Sequence, residues 1–240
     1  MLLSLLSGGS LVDILISLAV TIPIVMLALS LHETAHGYVA WKCGDSTAYH
    51  LGRLTLNPLK HLDLAGTLCM MLVGFGWAKP VPINARNFRN PKNGMALSAA
   101  AGPAANLLLG IISAVLYGFF YALYVFVSFK SGAAFWLNCI GLLWEISYIS
   151  AIINMTFAFF NLIPVPPFDG SRIALVFLPP RTYFKIMKYE REIMYGILIA
   201  MLACSYIFDF SPFSWLAHRL TNLIYMPVRN GFIEMFGHFV

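Results

Sequence analysis

Long apolar runs, broken by one polar stretch, organise this chain. Four runs, at about 12–42, 94–129, 133–163 and 192–210, approach or exceed the ~20 apolar residues that cross a bilayer. In the first, Ile14 to Leu31 is 18 residues without an Asp, Glu, Lys or Arg. The second is uncharged from Gly94 to Phe129, and the third carries a single charge, Glu145. Residues 43–93 follow a different pattern. "TAYHLGRLTLNPLKHLDLAG" is half polar, and "GWAKPVPIN" reads as a turn followed by a strand. Between them, Leu64 to Ala78 is uncharged but short, and Gly66, Gly74 and Gly76 interrupt it, so it is expected to enter the membrane and return. The last stretch, 211–240, is mixed. Trp215, Leu216, Leu220 and Ile224 suggest one apolar helix face, lying at the interface. The pattern thus predicts an all-α polytopic membrane protein. It has four spanning helices, a re-entrant segment and short cytoplasmic β-hairpins. Residues 1–210 form the core and 211–240 an interfacial tail.

Composition agrees with this reading. Sixty percent of the 240 residues are hydrophobic and 10% are charged, against about 25% charged in soluble domains. The net charge of +5 therefore reports membrane topology and not a nucleic-acid partner. If 64–78 returns to its own side, 12 of the 15 basic residues share one face; if it crosses, the split is 6 against 9. The positive-inside rule prefers the first arrangement, with 43–93 and 170–191 in the cytoplasm. Cys43, Cys69, Cys139 and Cys204 are scattered singly, which points to neither a disulfide framework nor a thiolate metal site.

Candidate chemistry sits at the end of the first run, in "LHETAHGYVA". Residues four apart share a helix face, so His32 and His36 point the same way and can grip one Zn²⁺. Glu33, beside the first ligand, is placed to act on water. Ionisable groups near a spanning segment cost ~2.5–3.5 kcal/mol each on insertion scales, so three together need a compensating role. A catalytic zinc uses three protein ligands. His50, His61 and Asp63 lie on the correct side, and Asp169 in "FFNLIPVPPFDGSRI" is the strongest candidate. It follows Pro164, Pro166 and Pro167, which stop a spanning helix on the face that His36 occupies. Asp13, Glu145, Glu190, Glu192, Asp209, His218 and His238 are placed too far away or among solvated charges. Asn106, within the second run, and Asn161, eight residues before Asp169, could hold substrate backbone or bond between helices.

Five motifs in order, His32-Glu33-x-x-His36, "NPLKHLDLAGT" at 57–67, "GWAKPVPIN" at 76–84, "AAAGPAANL" at 99–107 and "NLIPVPPFDG" at 161–170, resemble the site-2 proteases over roughly residues 14–200. Where that family commonly has Leu-Asp-Gly, this chain has Phe168-Asp169-Gly170, an apolar exchange before the ligand. The resemblance implies an intramembrane zinc metalloprotease without PDZ or CBS regions. It implies one Zn²⁺ on His32, His36 and Asp169 and Glu33 as catalytic base; Asn106 and Asn161 are the candidate substrate contacts. The implied substrates are single-span membrane proteins in the lipid bilayer, cut near the cytoplasmic side of a multi-pass protein of the cell membrane. An extended substrate could add to the edge of a strand at 51–57 or 81–84. The rival classes are a metal-binding transporter, which would need ionisable groups at several depths, and a relative that binds membrane helices without cutting them.

Overall fold

A computed structural model describes residues 11–64, 66, 78–130, 134–207, 210 and 212–237. Among these the secondary structure is helical: α1 (Leu11–Lys42), the single turn α2 (Thr47–His50), α3 (Pro91–Lys130), α4 (Ala134–Asn161), α5 (Asp169–Leu175), α6 (Pro180–Met187), α7 (Glu190–Ile207), α8 (Pro212–Leu220) and α9 (Met226–Gly237). Three of them, α1, α3 and α4, are long and apolar enough to cross a membrane. At 1.5 Å per residue the 40-residue α3 runs about 60 Å, twice the hydrocarbon thickness.

Two sequence expectations change. The fourth predicted span, 192–210, forms a helix but is not a spanning one by length and composition. Glu190, Arg191 and Glu192 fill the first turn of α7, and Ile193 to Ile207 extends only about 22 Å. The predicted β-hairpins are also absent among the described residues, where one isolated antiparallel bridge, Leu62 with Ala78, stands in their place. The reason lies in where the backbone groups go. Pro80 and Pro82 have no N–H to give. The Thr55 carbonyl accepts from the Thr34 hydroxyl and faces the His61 ring, while Arg53 donates to the Lys79 and Pro80 carbonyls. The segment expected to be re-entrant, 64–78, lies for the most part outside the described residues. Its flanks are joined, by the bridge and by the Lys79 N–H donating to the His61 carbonyl at 2.8 Å.

The chain divides into two compact units, Met1–Ala105 with Leu162–Tyr183, and Asn106–Asn161 with Phe184–Val240. In the first, Val25, Ala28, His32, His36 and Ala40 recur at three- and four-residue steps and are all buried. That stripe is the inner face of α1, and Leu15, Ile16, Leu27 and Tyr38 are exposed on the others. Beyond α1, Gly44 turns the chain with φ +117°, a left-handed conformation that costs a glycine little. Asp45 then gathers four donors: the Thr47 N–H and hydroxyl, the Asn84 N–H at 2.6 Å and the Asn87 amide at 2.9 Å. It is fully buried, so it ties residues 84–87 to the end of α1.

In the second unit, Ala114 and Tyr117 of α3 pack with Ala151 and Met155 of α4 and with Leu220 of α8. A polar ladder runs beside them. The Asn106 amide donates to Asn154 Oδ1 at 3.1 Å, Asn154 donates to the Ser150 carbonyl at 2.9 Å, and the Ser150 and Ser113 hydroxyls pair at 2.9 Å. Of the residues expected to form an apolar face in the tail, Leu216, Leu220 and Ile224 pack in or against this core, and Trp215 is exposed.

Burial alone would raise the Asp45 carboxyl, but the Thr47 hydroxyl, the Asn84 N–H and the Asn87 amide outweigh it and hold the group below its ordinary 3.8. As pH falls, the unfolded chain takes up this proton first. The stability that Asp45 contributes is therefore present at neutral pH and lost as pH drops below about 3.8 toward the folded value. Asp45→Ala leaves several donors unpaired and is expected to cost about 2–4 kcal/mol, seen as a lower melting temperature in detergent at pH 7, with a smaller deficit in acid.

Candidate metal centre

The inner stripe of α1 carries the chemistry. His32 and His36 stand one turn apart with their rings edge to face, centroids 4.5 Å apart. Their Nε2 atoms approach to 2.9 Å. Asp169 Oδ2 closes the triangle at 3.0 Å from His32 Nε2 and 3.1 Å from His36 Nε2. Both histidines are buried and the carboxylate is nearly so. Among the described residues these three form the group able to hold a metal ion.

The surroundings dictate which atoms face inward. His36 Nδ1 lies 2.7 Å from the Ser98 carbonyl. A carbonyl accepts, so Nδ1 carries the hydrogen and Nε2 presents its lone pair to the triangle. Ser98 returns a second bond, its hydroxyl donating to the His36 carbonyl at 3.0 Å. Two imidazole nitrogens and a carboxylate oxygen thus converge in a buried place, where their mutual repulsion calls for a cation. Ligand atoms around a tetrahedral zinc at ~2.0–2.2 Å stand roughly 3.4 Å apart, within about half an ångström of the spacing here. The donor set fits Zn²⁺.

Asp169 opens α5, yet its side chain does not cap that helix, whose N-cap is Phe168. Gly170 makes the placement possible. A Cβ there would strike the Leu162 carbonyl and stand 2.6 Å from the Ile163 oxygen, so the returning chain packs directly on the backbone behind Asp169.

Of the sequence candidates, His32, His36 and Asp169 come together. Glu33 is half-buried beside them, and its Oε2 accepts the Val81 N–H at 2.8 Å. His61 is buried elsewhere, its Nε2 2.7 Å from the Thr55 carbonyl, and neither His50 nor Asp63 belongs to the metal group. Asn106 is fully buried and bonded to Asn154, while Asn161 donates to the Phe157 carbonyl one turn back. Sequence reasoning missed Ser98, Val81 and Gly102. A Cβ at Gly102 would lie 2.7 Å from His32 Cε1 and nearer still to the His36 ring. "AAAGPAANL" signals small residues for close helix approach, but nothing in it says that the approaching groups are imidazoles.

Gly102→Ala should therefore displace both rings and abolish stoichiometric zinc. Gly110→Ala, eight residues on, meets the flexible Met155 side chain at 2.9 Å and should retain it. Zinc per chain, measured on protein purified in detergent, separates the two.

Comparison with known proteins agrees with this chemistry. The model of Peptidase family M50 matches residues 20–205. YwhC of Bacillus subtilis (strain 168) is 37% identical over 188 residues, 74% of this chain and 76% of its own. Rip2 of Mycolicibacterium smegmatis is 30% identical over 162 residues, 65% of this chain and 56% of its own. Both bear the name "Putative zinc metalloprotease". No solved structure matches the chain. A donor triangle fitted to zinc on a helix of membrane-spanning length, with a family match over more than three quarters of the sequence, places this chain in peptidase family M50 as a membrane zinc metalloprotease.

Proposed function

We propose that this protease cleaves peptide bonds within or beside the transmembrane segments of single-span membrane proteins. The observation that carries the reading is the depth of the site along α1. His32 and His36 belong to the 28-residue candidate span Leu15–Lys42, so whatever reaches them does so from apolar surroundings. Soluble peptides have no reason to partition there, whereas a membrane segment already does.

His32, His36 and Asp169 would hold the ion. When bound, zinc supplies a Lewis acid that polarises the scissile carbonyl and lowers the pKa of attacking water. Glu33 takes the proton of that water on its carboxylate and delivers it to the leaving amine. A substrate helix must first unwind, because its carbonyls are engaged in its own hydrogen bonds. Asn161, where α4 ends, is proposed to meet the unwound backbone. The amide of Asn106 donates to Asn154, which favours an interhelical role for it over the substrate contact its sequence position allowed.

Chain path supports a site near the cytoplasmic face of the cell membrane. Between His36 and Asp169 the chain runs along α3 and α4, two helices able to cross. Two crossings return Asp169 to the side of His36 only if 43–90 makes no net crossing. The joined flanks of the re-entrant segment, Leu62 and Ala78, fit that requirement. The basic residues of 43–93 and 170–191 then lie in the cytoplasm, as the positive-inside rule prefers. The family match ends at 205, which supports a catalytic core reaching about 210, with the tail beyond it packed on α3 and α4. A transporter would not need a carboxylate beside its ligands, and the family assignment leaves it without support.

Glu33→Gln removes the base and keeps every ligand. Cleavage of a single-span peptide in detergent should fall ~10²–10⁴-fold at full zinc occupancy; near-normal cleavage would remove Glu33 from the mechanism. For topology, single cysteines at Leu59 and Arg86, both exposed, should label from the cytoplasmic side in a background free of native cysteines. Labelling from opposite sides would overturn the assignment.

A further inference from the structure

We infer that the backbone amide of Val81 positions Glu33 for catalysis, and that the Pro80-Val81-Pro82 segment is built to deliver this single hydrogen bond. The inference rests on Glu33 being the base. The Val81 N–H reaches Glu33 Oε2 at 2.8 Å. Pro80 and Pro82 carry no amide hydrogen, so the segment has one donor to offer and spends it on this carboxylate.

The face of α1 is shaped to receive it. Glu33 and Gly37 are four apart and share a face. A Cβ at Gly37 would stand 3.1 Å from Val81 Cγ1 and 2.6 Å from Leu54 Cδ2. Glycine there lets the Val81 side chain bury against the helix while its amide reaches back one turn to Glu33. The segment is held on both sides of the contact. On one side Arg53 Nη2 donates to the Lys79 carbonyl at 2.8 Å and to the Pro80 carbonyl at 3.4 Å, and the Lys79 N–H bonds the His61 carbonyl. On the other, the Asn84 N–H is fixed by Asp45 at 2.6 Å. Six residues, 79–84, are thus pinned at both ends, with Val81 as the contact between.

A glutamate on a helix has three side-chain torsions and loses substantial rotamer freedom when fixed. A bond to one carboxylate oxygen restrains those torsions before substrate arrives and leaves the other oxygen for water. Such pre-orientation lowers the barrier without adding ground-state affinity, so its loss should appear in kcat and not in KM.

Hydrogen exchange tests the bond directly, because Val81 is the one exchangeable amide in the Pro80–Pro82 stretch. In wild type this amide should exchange slowly. Glu33→Ala removes the acceptor and should make exchange fast, whereas Glu33→Gln retains an acceptor oxygen and should keep it slow. Arg53→Ala, which frees one end of the segment, should accelerate Val81 exchange. It should also lower kcat about tenfold with KM, zinc content and melting temperature near wild type. Fast Val81 exchange in wild type, or equal protection in Glu33→Ala, overturns the inference. So does an Arg53→Ala protein whose activity falls only in step with zinc or melting temperature. Near-normal cleavage by Glu33→Gln is a separate failure: it removes the base, and the positioning role with it, even where the exchange results show the bond.

Discussion

The repulsion among three buried donors is the constraint around which the first unit is arranged. Two imidazole nitrogens and a carboxylate oxygen meet at about 3 Å in a place that water scarcely reaches. A cation held among them would crosslink the end of α1 to the start of α5. Much of the neighbouring backbone is fitted to this point. Ser98 fixes the His36 ring through its carbonyl and grips the same residue's backbone through its hydroxyl. Gly102 withdraws its side chain from both rings, and Gly170 lets the returning loop close behind Asp169. Each substitutes backbone for side chain where space or a hydrogen bond is required.

The three candidate ligands that the structure brings together were legible in the sequence for this reason, and their supports were not. Three ionisable residues at the edge of apolar runs are costly, so His32, His36 and Asp169 stand out against their background. A serine carbonyl and a glycine hydrogen leave no such mark. The same holds for the fold. Helix existence followed from long apolar runs, whereas the inner face of α1 could not be read from hydrophobicity, because the helix is apolar all round. In lipid the hydrophobic effect does not sort helix faces. The distinguishing property is size: Val25, Ala28, Gly37 and Ala40 are buried, and Leu15, Ile16 and Leu27 are exposed.

The two overturned expectations share a cause of another kind. The run at 192–210 has enough apolar residues nearby, but three charges in the first turn of α7 leave too short a remainder. The segments at 51–57 and 81–84 alternate like strands, yet a strand needs free amides and carbonyls at its edge. Here Pro82 has no amide to give, Thr34 takes the Thr55 carbonyl, and Glu33 takes the Val81 amide. Alternation predicts an extended chain correctly and says nothing of where its hydrogen bonds go.

One helix therefore performs two tasks on adjacent faces. His32 and His36 define the face that carries the candidate ligands, and Glu33 and Gly37 define the face, about 100° further round, that receives residues 79–84. The sequence spacing forces this division. In the proposed mechanism, a base immediately following a ligand cannot share the ligand's direction, so it must be steered toward the reaction from the side. A bilayer offers no water network to do the steering, and a second charged side chain there would add its own desolvation cost. A backbone amide between two prolines meets the need at low cost. It brings one hydrogen-bond donor, no charge and almost no conformational freedom of its own, and it would otherwise be a buried donor in want of an acceptor.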